Sequence, residues 1–141
     1  MNKNGPIIII DDDQDDQEIL QVVFKRLNYK NEVIFFSDGE KAIEYLCDPA
    51  TKPFIVLSDI NMPRADGFEV RSTLFTNKIM AARSVPYLFF TNGTYKKAVV
   101  DAYAMSVQGF FIKPTNMAAL ENTLRKIIEY WQECVSPTNF D

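Results

Sequence analysis

The chain has 141 residues, of which 47% are hydrophobic and 24% charged, and its formal net charge is −4. That length fits one domain with a single core, and no basic stretch is available to neutralise phosphates, so we expect no direct binding to nucleic acid. Histidine is absent from the sequence. Since histidine is the commonest general base and metal ligand, any chemistry must depend on carboxylates, hydroxyls, lysine or the backbone.

Two features of the sequence indicate the cellular compartment: the first apolar run and the spacing of the cysteines. Four isoleucines at 7–10 are too few for a signal-peptide core or a membrane span, so we expect no membrane association. Cys47 and Cys134 lie far apart, without the spacing of a zinc site or a disulfide framework. Together these features predict a cytoplasmic protein.

The predicted elements alternate between strand and helix along the chain. Short apolar, mostly β-branched or aromatic runs predict five strands, at 7–10, 33–36, 55–58, 86–90 and 110–112. Apolar residues at helical spacing predict five helices, at 14–28, 40–47, about 68–79, 95–105 and 116–133. The alternation predicts an α/β fold, with helices on both faces of a parallel sheet and right-handed crossovers. We expect a single domain over 1–141, with a core of about residues 6–134 and a flexible polar tail at 135–141.

The stretch from Ile55 to Pro63 organises the rest of the chain. It runs from a buried strand to one carboxylate, Asp59, and then into a loop marked by Met62-Pro63 and Asp66-Gly67. An isolated aspartate in that position more often caps a turn. Ligands of open parallel sheets, however, bind at the carboxyl ends of the strands.

Other strands deliver polar residues to the same edge. Asp11 and Asp12 follow the first strand, Thr91 the fourth and Lys113 the fifth. Three neighbouring carboxylates repel one another unless a cation lies among them, and Mg²⁺ prefers such oxygen ligands. Lysine and threonine suit phosphoryl oxygens, so the set predicts attack by a carboxylate on a phosphoryl group. The neighbouring Asp15, Asp16 and Glu18 are explained by the dipole of the first helix.

These residues resemble the motifs of the response-regulator receiver domain, of the stand-alone type similar to the chemotaxis receiver. The acidic pair after Ile10, Asp59 within Ser58-Asp59-Ile60-Asn61-Met62-Pro63, Thr91 after an apolar strand, and Lys113-Pro114 occur in the order and spacing of that family. Each motif alone is weak, but the four in order are specific, and they extend from Ile7 to the last helix. The resemblance implies a flavodoxin-like (βα)5 doubly wound sheet of order 2-1-3-4-5.

The resemblance also implies roles for individual residues. Asp59 would accept the phosphoryl group, and Mg²⁺ would be held by Asp12, Asp59 and the backbone carbonyl of Asn61, with Asp11 acting through water. Thr91 would hydrogen-bond the phosphoryl group and Lys113 would pair with it. Phe110 matches the family's switch aromatic, and a cis peptide bond is expected before Pro114.

Two departures from the family bear on the phosphoryl site and on the switch. Asn92 follows Thr91 at a position where the family usually has a small residue. Its amide could crowd the phosphoryl site or orient a water molecule. The sequence therefore does not determine the lifetime of the phosphorylated state. Phe110 replaces the commoner tyrosine and so has no hydroxyl to hydrogen-bond in the inward state.

The implied function is a stand-alone response regulator of a two-component system or phosphorelay, a phosphoprotein that assists its own phosphorylation and dephosphorylation and is not otherwise an enzyme. A histidine kinase or histidine phosphotransfer protein would be the donor. The face of the fourth helix, fifth strand and fifth helix would bind an output partner of unknown identity or a second copy of the chain.

Two alternative functions belong to other classes of protein. A degenerate receiver would serve only as a binding module, but such domains usually lack part of the acceptor set. A haloacid-dehalogenase-like phosphatase would use Asp11 as nucleophile with Asp13. It needs a further acidic pair after the lysine, whereas Glu121, Glu129 and Glu133 are predicted to face solvent along the last helix.

Overall fold

The computed structural model describes residues 1–62 and 65–140, and its strands form one five-stranded parallel sheet. The order is β2-β1-β3-β4-β5, which confirms the predicted flavodoxin-like topology. The predicted break at Pro63, and Asp141 of the predicted tail, lie outside the described residues. The strands are β1 (Ile7–Ile10), β2 (Val33–Phe36), β3 (Ile55–Ser58), β4 (Tyr87–Thr91) and β5 (Gly109–Ile112).

Helices cover both faces of the sheet. Successive residues of β1 point to opposite faces, so Ile7 and Ile9 join one core cluster and Ile8 and Ile10 the other. The first cluster is closed by α1 and α6, and the second by the helices between them in sequence. Burial on both sides explains why β1 and β3 are unbroken apolar runs. The helices are α1 (Gln14–Leu27), α2 (Gly39–Cys47), α3 (Gly67–Thr76), α4 (Lys78–Arg83), α5 (Lys96–Ala104) and α6 (Met117–Glu133).

The third predicted helix is wrong in its extent, because the structure has two helices there. Asn77 ends α3, where its backbone N–H donates to Leu74, and its side chain caps α4 by accepting from Met80 N at 3.0 Å. An asparagine side chain offers the backbone this alternative to a continuous helix. Consequently the predicted output face lies on α5, β5 and α6.

The segment after α6, predicted to be a flexible polar tail, makes several defined contacts among its described residues. Pro137–Phe140 form a 3₁₀ helix, and the hydroxyl of Ser136 donates to the Met1 carbonyl at 2.7 Å. Ser136 is 1% exposed, so its hydroxyl is paired inside the protein instead of with water. Within residues 1–62 and 65–140, no helix is both long and apolar enough to cross a membrane.

Candidate phosphoryl-acceptor site

Backbone hydrogen bonds hold the residues that directly follow the strands together at the carboxyl edge of the sheet. Asp59 N donates to Ile10 O at 2.8 Å, and Lys113 N donates to Thr91 O at 2.7 Å. Asp11 N likewise donates to Phe36 O at 2.9 Å. The ladder therefore continues one residue past β1, β3 and β5, to three charged residues. As the sequence predicts, the topology brings Asp11, Asp59, Thr91 and Lys113 to the same edge.

Three carboxylates meet at this edge. Oxygens of Asp11, Asp12 and Asp59 lie within 4.8 Å of one another. Asp11 is fully buried and Asp59 is 8% exposed, whereas Asp12 faces solvent. Hard oxygen ligands at this spacing fit a divalent cation, which would remove the repulsion between them. Asn61, whose carbonyl is a predicted ligand, lies in the exposed loop after Asp59.

The two oxygens of Asp59 have different surroundings. Oδ1 accepts hydrogen bonds from Thr91 Oγ1 at 2.8 Å and from the Ile60 N–H at 2.7 Å. Oδ2 faces the Lys113 ammonium at 3.6 Å. The two donors on Oδ1 hold the carboxylate in one rotamer, so that Oδ2 is presented toward the lysine and the other carboxylates.

Lys113 brings a positive charge to the site. Its ammonium, which is 6% exposed, donates to Asp11 Oδ2 and, at 3.0 Å, to Asp16 Oδ2. Burial by itself would lower the pKa of Lys113, but the hydrogen bond and charge of Asp11, with the charge of Asp59 and the hydrogen bond of Asp16, raise it overall. The ammonium is therefore firmly protonated.

Negative charge is in excess at the site. Burial raises the pKa of Asp11, and the charge of Asp59 adds to the rise, although Lys113 and the Asp13 N–H oppose it. A single ammonium thus faces the carboxylates of Asp11, Asp12, Asp16 and Asp59 within the part of the chain that the structure describes. A bound divalent cation would offset this excess.

Asp16 is a site residue that the sequence analysis missed. Its Oδ2 accepts from Lys113 and, at 2.9 Å, from Asn92 Nδ2. Burial would raise the pKa of Asp16, but these hydrogen bonds lower it overall. No local pattern marked it, because the two partners of Asp16 lie 76 and 97 positions away in the sequence. Only its place in the first turn of α1 entered the prediction.

Gln17 was missed as well. It is 7% exposed, and its amide donates to the carbonyl of Asp11 and to Ser37 Oγ at 2.8 Å. These contacts position the backbone that carries the acidic pair.

Asn92 and Phe110 occupy defined places. The Asn92 amide is directed to Asp16, which neither of the two predicted possibilities anticipated. Phe110 is half-buried and packs on Phe89, with their ring centroids 5.7 Å apart. Phe89 lies two residues before Thr91 on β4. The switch role of Phe110 stays a prediction.

The predicted cis bond before Pro114 is wrong, since no peptide bond among the described residues is cis. The trans form is preferred even before proline, and Lys113 reaches Asp11 with it.

Asp13 serves as a helix cap. Its Oδ1 accepts from the N–H groups of Asp15 at 2.9 Å and Asp16 at 3.1 Å. The carboxylate that the phosphatase alternative requires for catalysis is therefore engaged in starting α1.

Comparisons with known proteins agree with the fold. The family model described as "Response regulator receiver domain" matches residues 7–125. A probable methanogenesis regulatory protein, FilR2 of Methanothrix harundinacea, is 28% identical over 129 residues, which cover 89% of this chain and 82% of that protein. Response regulator Rcp1 of Synechocystis sp. is 25% identical over 135 residues, covering 92% and 90%.

Solved structures give the same result. The Mn²⁺-bound form of Rcp1 superposes with a TM-score of 0.79 at 25% identity, covering 93% of this chain and 96% of that one. Response regulator RPA3017, from red light signalling of R. palustris, also has a TM-score of 0.79, at 28% identity and with the same coverage.

Proposed function

Because the chain belongs to the response regulator receiver domain family of two-component signalling, we propose that it is a stand-alone response regulator that accepts a phosphoryl group on Asp59. The donor is a phosphohistidine of a histidine kinase or a histidine phosphotransfer protein. The observation that carries the proposal is the setting of Asp59, whose Oδ1 is held by Thr91 and Ile60 N while Oδ2 faces Lys113 beside two further carboxylates.

The proposed transfer is an in-line displacement. An oxygen of Asp59 attacks phosphorus, the P–N bond to the donor imidazole breaks, and the imidazole leaves with that electron pair. Lys113 pairs with the phosphoryl oxygens, and Thr91 exchanges its hydrogen bond from Asp59 to the new group. Asp12, Asp59 and the Asn61 carbonyl would hold Mg²⁺, with Asp11 acting through water. When bound there, the ion would supply positive charge beside the phosphoryl oxygens and the carboxylates.

The proposed output follows from Thr91 and Phe110. Movement of Thr91 toward the phosphoryl group makes room for the Phe110 ring, and so repacks the face of α5, β5 and α6. That face exposes Tyr95 and Tyr103, which are 68% and 53% exposed, together with Lys96, Lys97 and Gln108. An output partner, or a second copy of the chain, binds there. The protein acts in the cytoplasm as a signalling protein whose only chemistry is its own phosphorylation and dephosphorylation.

The test is phosphorylation by a small donor. The protein is incubated with MgCl₂ and acetyl phosphate, or with the beryllofluoride mimic, and followed by intact mass and by the fluorescence of Trp131. Trp131 is the single tryptophan and, with Leu88, Gln108 and Phe111, lines a cavity of about 300 Å³ beside β5. We expect a Mg²⁺-dependent phosphoryl adduct and a fluorescence change, both absent in Asp59→Asn and both kept in Asp15→Asn, which removes an exposed carboxylate of α1.

Other outcomes would assign a different function. No adduct and no fluorescence change at saturating donor would support the degenerate binding module. Acetyl phosphate turnover that depends on Asp11 and not on Asp59 would support the phosphatase.

A further inference from the structure

Asp16 joins three elements through one oxygen. Its Oδ2 accepts from Lys113 Nζ at 3.0 Å and from Asn92 Nδ2 at 2.9 Å. Lys113 follows β5, Asn92 follows β4, and Asp16 lies in the first turn of α1. No role in the proposed transfer accounts for this arrangement.

The ammonium of Lys113 lies against two of the three carboxylates that could hold a metal ion. It donates to Asp11 Oδ2 and lies 3.6 Å from Asp59 Oδ2, and both residues belong to the group of three carboxylates within 4.8 Å of one another. A monovalent ammonium and a divalent cation placed among the same carboxylates repel each other and compete for the same lone pairs. The position of Lys113 therefore affects how well the site binds a cation.

Asp16 lies outside that group of three carboxylates and draws Lys113 toward α1. Without the Asp16 charge, the remaining acceptors around the ammonium are Asp11 and Asp59, so the ammonium would move further onto the metal-binding oxygens. The amide of Asn92 donates to the same Asp16 oxygen, which fixes the carboxylate in the rotamer that faces Lys113. A small residue at position 92 could not make this contact.

We propose that Asp16, oriented by Asn92, is a positioning residue that holds the Lys113 ammonium on the α1 side of the site and so leaves Asp12 and Asp59 available for Mg²⁺. This inference rests on the proposed Mg²⁺-dependent function. It gives Asn92 a physical role, namely to aim the carboxylate that retains the lysine.

The surroundings of Asp16 suit mutational analysis. Asp16, Asn92 and Lys113 line a cavity of about 270 Å³ together with Ile19 and Met117. The Asp16 side chain is 21% exposed. Replacing Asp16 by the isosteric asparagine therefore removes charge and leaves the packing of the core intact.

The experiment is calorimetric titration of MgCl₂ into the metal-free protein. We expect Asp16→Asn to bind Mg²⁺ about tenfold more weakly than the wild type, the lower end of the loss seen when an outer-shell partner is removed. Asn92→Ala should change the affinity in the same direction by a smaller factor. Asp15→Asn is the matched control, because it removes an exposed carboxylate from the same helical turn. Its effect should stay within about twofold, since exposed charges are screened.

A double-mutant cycle separates positioning from a direct effect of charge. Lys113→Met should bind Mg²⁺ more tightly than the wild type, since the competing ammonium is gone. In that background the further change Asp16→Asn should alter the affinity by less than about twofold. A loss as large as in the wild-type background would show that Asp16 acts directly on the cation, and would overturn the inference.

A metal-free measurement completes the test. The side-chain amide resonances of Asn92 should shift in Asp16→Asn and not in Asp15→Asn, as expected for loss of a charge-assisted hydrogen bond. Equal Mg²⁺ affinities of Asp16→Asn and Asp15→Asn would overturn the positioning role alone. Failure of the wild type to bind any Mg²⁺ would overturn the proposed function and this inference together.

Discussion

The two ends of the parallel sheet stabilise their polar groups in different ways. At the amino end, polar side chains donate to backbone carbonyls: Asn31 Nδ2 bonds to Lys3 O at 2.8 Å and Gly5 O at 2.7 Å, and Ser136 Oγ bonds to Met1 O. At the carboxyl end, the carboxylates that the structure describes face one another around the ammonium of Lys113. The amino end is satisfied by the chain itself, whereas the carboxyl end holds an excess of charge that a ligand would neutralise.

This difference separates the residues that stabilise the fold from those that we expect to carry the function. Hydrogen bonds to carbonyls are complete without any ligand, so changes at the amino end should affect folding alone. Changes at the carboxyl end should affect chemistry strongly, and removing a charge there should even stabilise the metal-free protein. The following predictions test this contrast, from the largest expected effect to the smallest.

Removing Asp12 should have the largest effect on the carboxyl end. We expect Asp12→Ala to lose the Mg²⁺ dependence of phosphorylation and most of the activity, because a solvent-facing ligand of the cation is gone. Phosphoryl adduct formed from acetyl phosphate across a MgCl₂ series measures this. Asp15→Asn, which should keep full Mg²⁺ dependence, is the control, and a normal MgCl₂ response of Asp12→Ala would remove Asp12 from the ligand set.

Lys113→Ala should separate the acceptance of the phosphoryl group from the conformational response to it. The variant should still form some adduct on Asp59, since the nucleophile and the other carboxylates remain. It should fail to signal, because no ammonium pairs with the phosphoryl group. Intact mass gives the adduct, and Trp131 fluorescence gives the change at α5, β5 and α6. Lys25→Ala, at an exposed residue of α1, should behave as the wild type. A full fluorescence response of Lys113→Ala would contradict the role in switching.

Asp59→Asn should raise the free energy of unfolding of the metal-free protein. Asp59 is 8% exposed, and neutralising it removes repulsion from Asp11 and Asp12 while an amide oxygen can still accept from Thr91 and Ile60 N. We expect a gain of about 1 kcal/mol, the order of the repulsion between two unit charges about 4 Å apart in water. Urea unfolding in EDTA measures it, and added MgCl₂ should stabilise the wild type and not the variant. A variant less stable than the wild type in EDTA would show that the excess charge is already compensated.

Ser136→Ala, at the amino end of the sheet, should instead lower the free energy of unfolding. The change removes the 2.7 Å hydrogen bond to Met1 O, but Thr138 Oγ1 also donates to that carbonyl at 3.2 Å. We therefore expect a loss of only about 1 kcal/mol in the free energy of unfolding, with unchanged phosphorylation. Ser72→Ala, on the exposed side of α3, should lie within about 0.5 kcal/mol of the wild type. Altered phosphorylation of Ser136→Ala would mean that the two ends of the sheet are coupled.

Local sequence determined most of the sheet and its carboxyl edge. Each strand is a short apolar run that ends at a polar residue, and parallel topology brings all such ends to one edge, so Asp11, Asp59, Thr91 and Lys113 could be predicted without coordinates. The four motifs in order gave the family. These features are local in sequence or follow from a general rule of sheet topology.

Tertiary structure alone decided the partners of Asp16, Asn92 and Asn77. Asp16 fits the dipole of its own helix equally well, and its bonds to Asn92 and Lys113 join residues 76 and 97 positions apart. Asn77 lies in a pattern that favours one helix, yet its backbone N–H ends α3 and its side chain caps α4. Helical and strand periodicity report which face a residue occupies, whereas the partner of a polar side chain depends on elements distant in sequence that meet only in the folded protein.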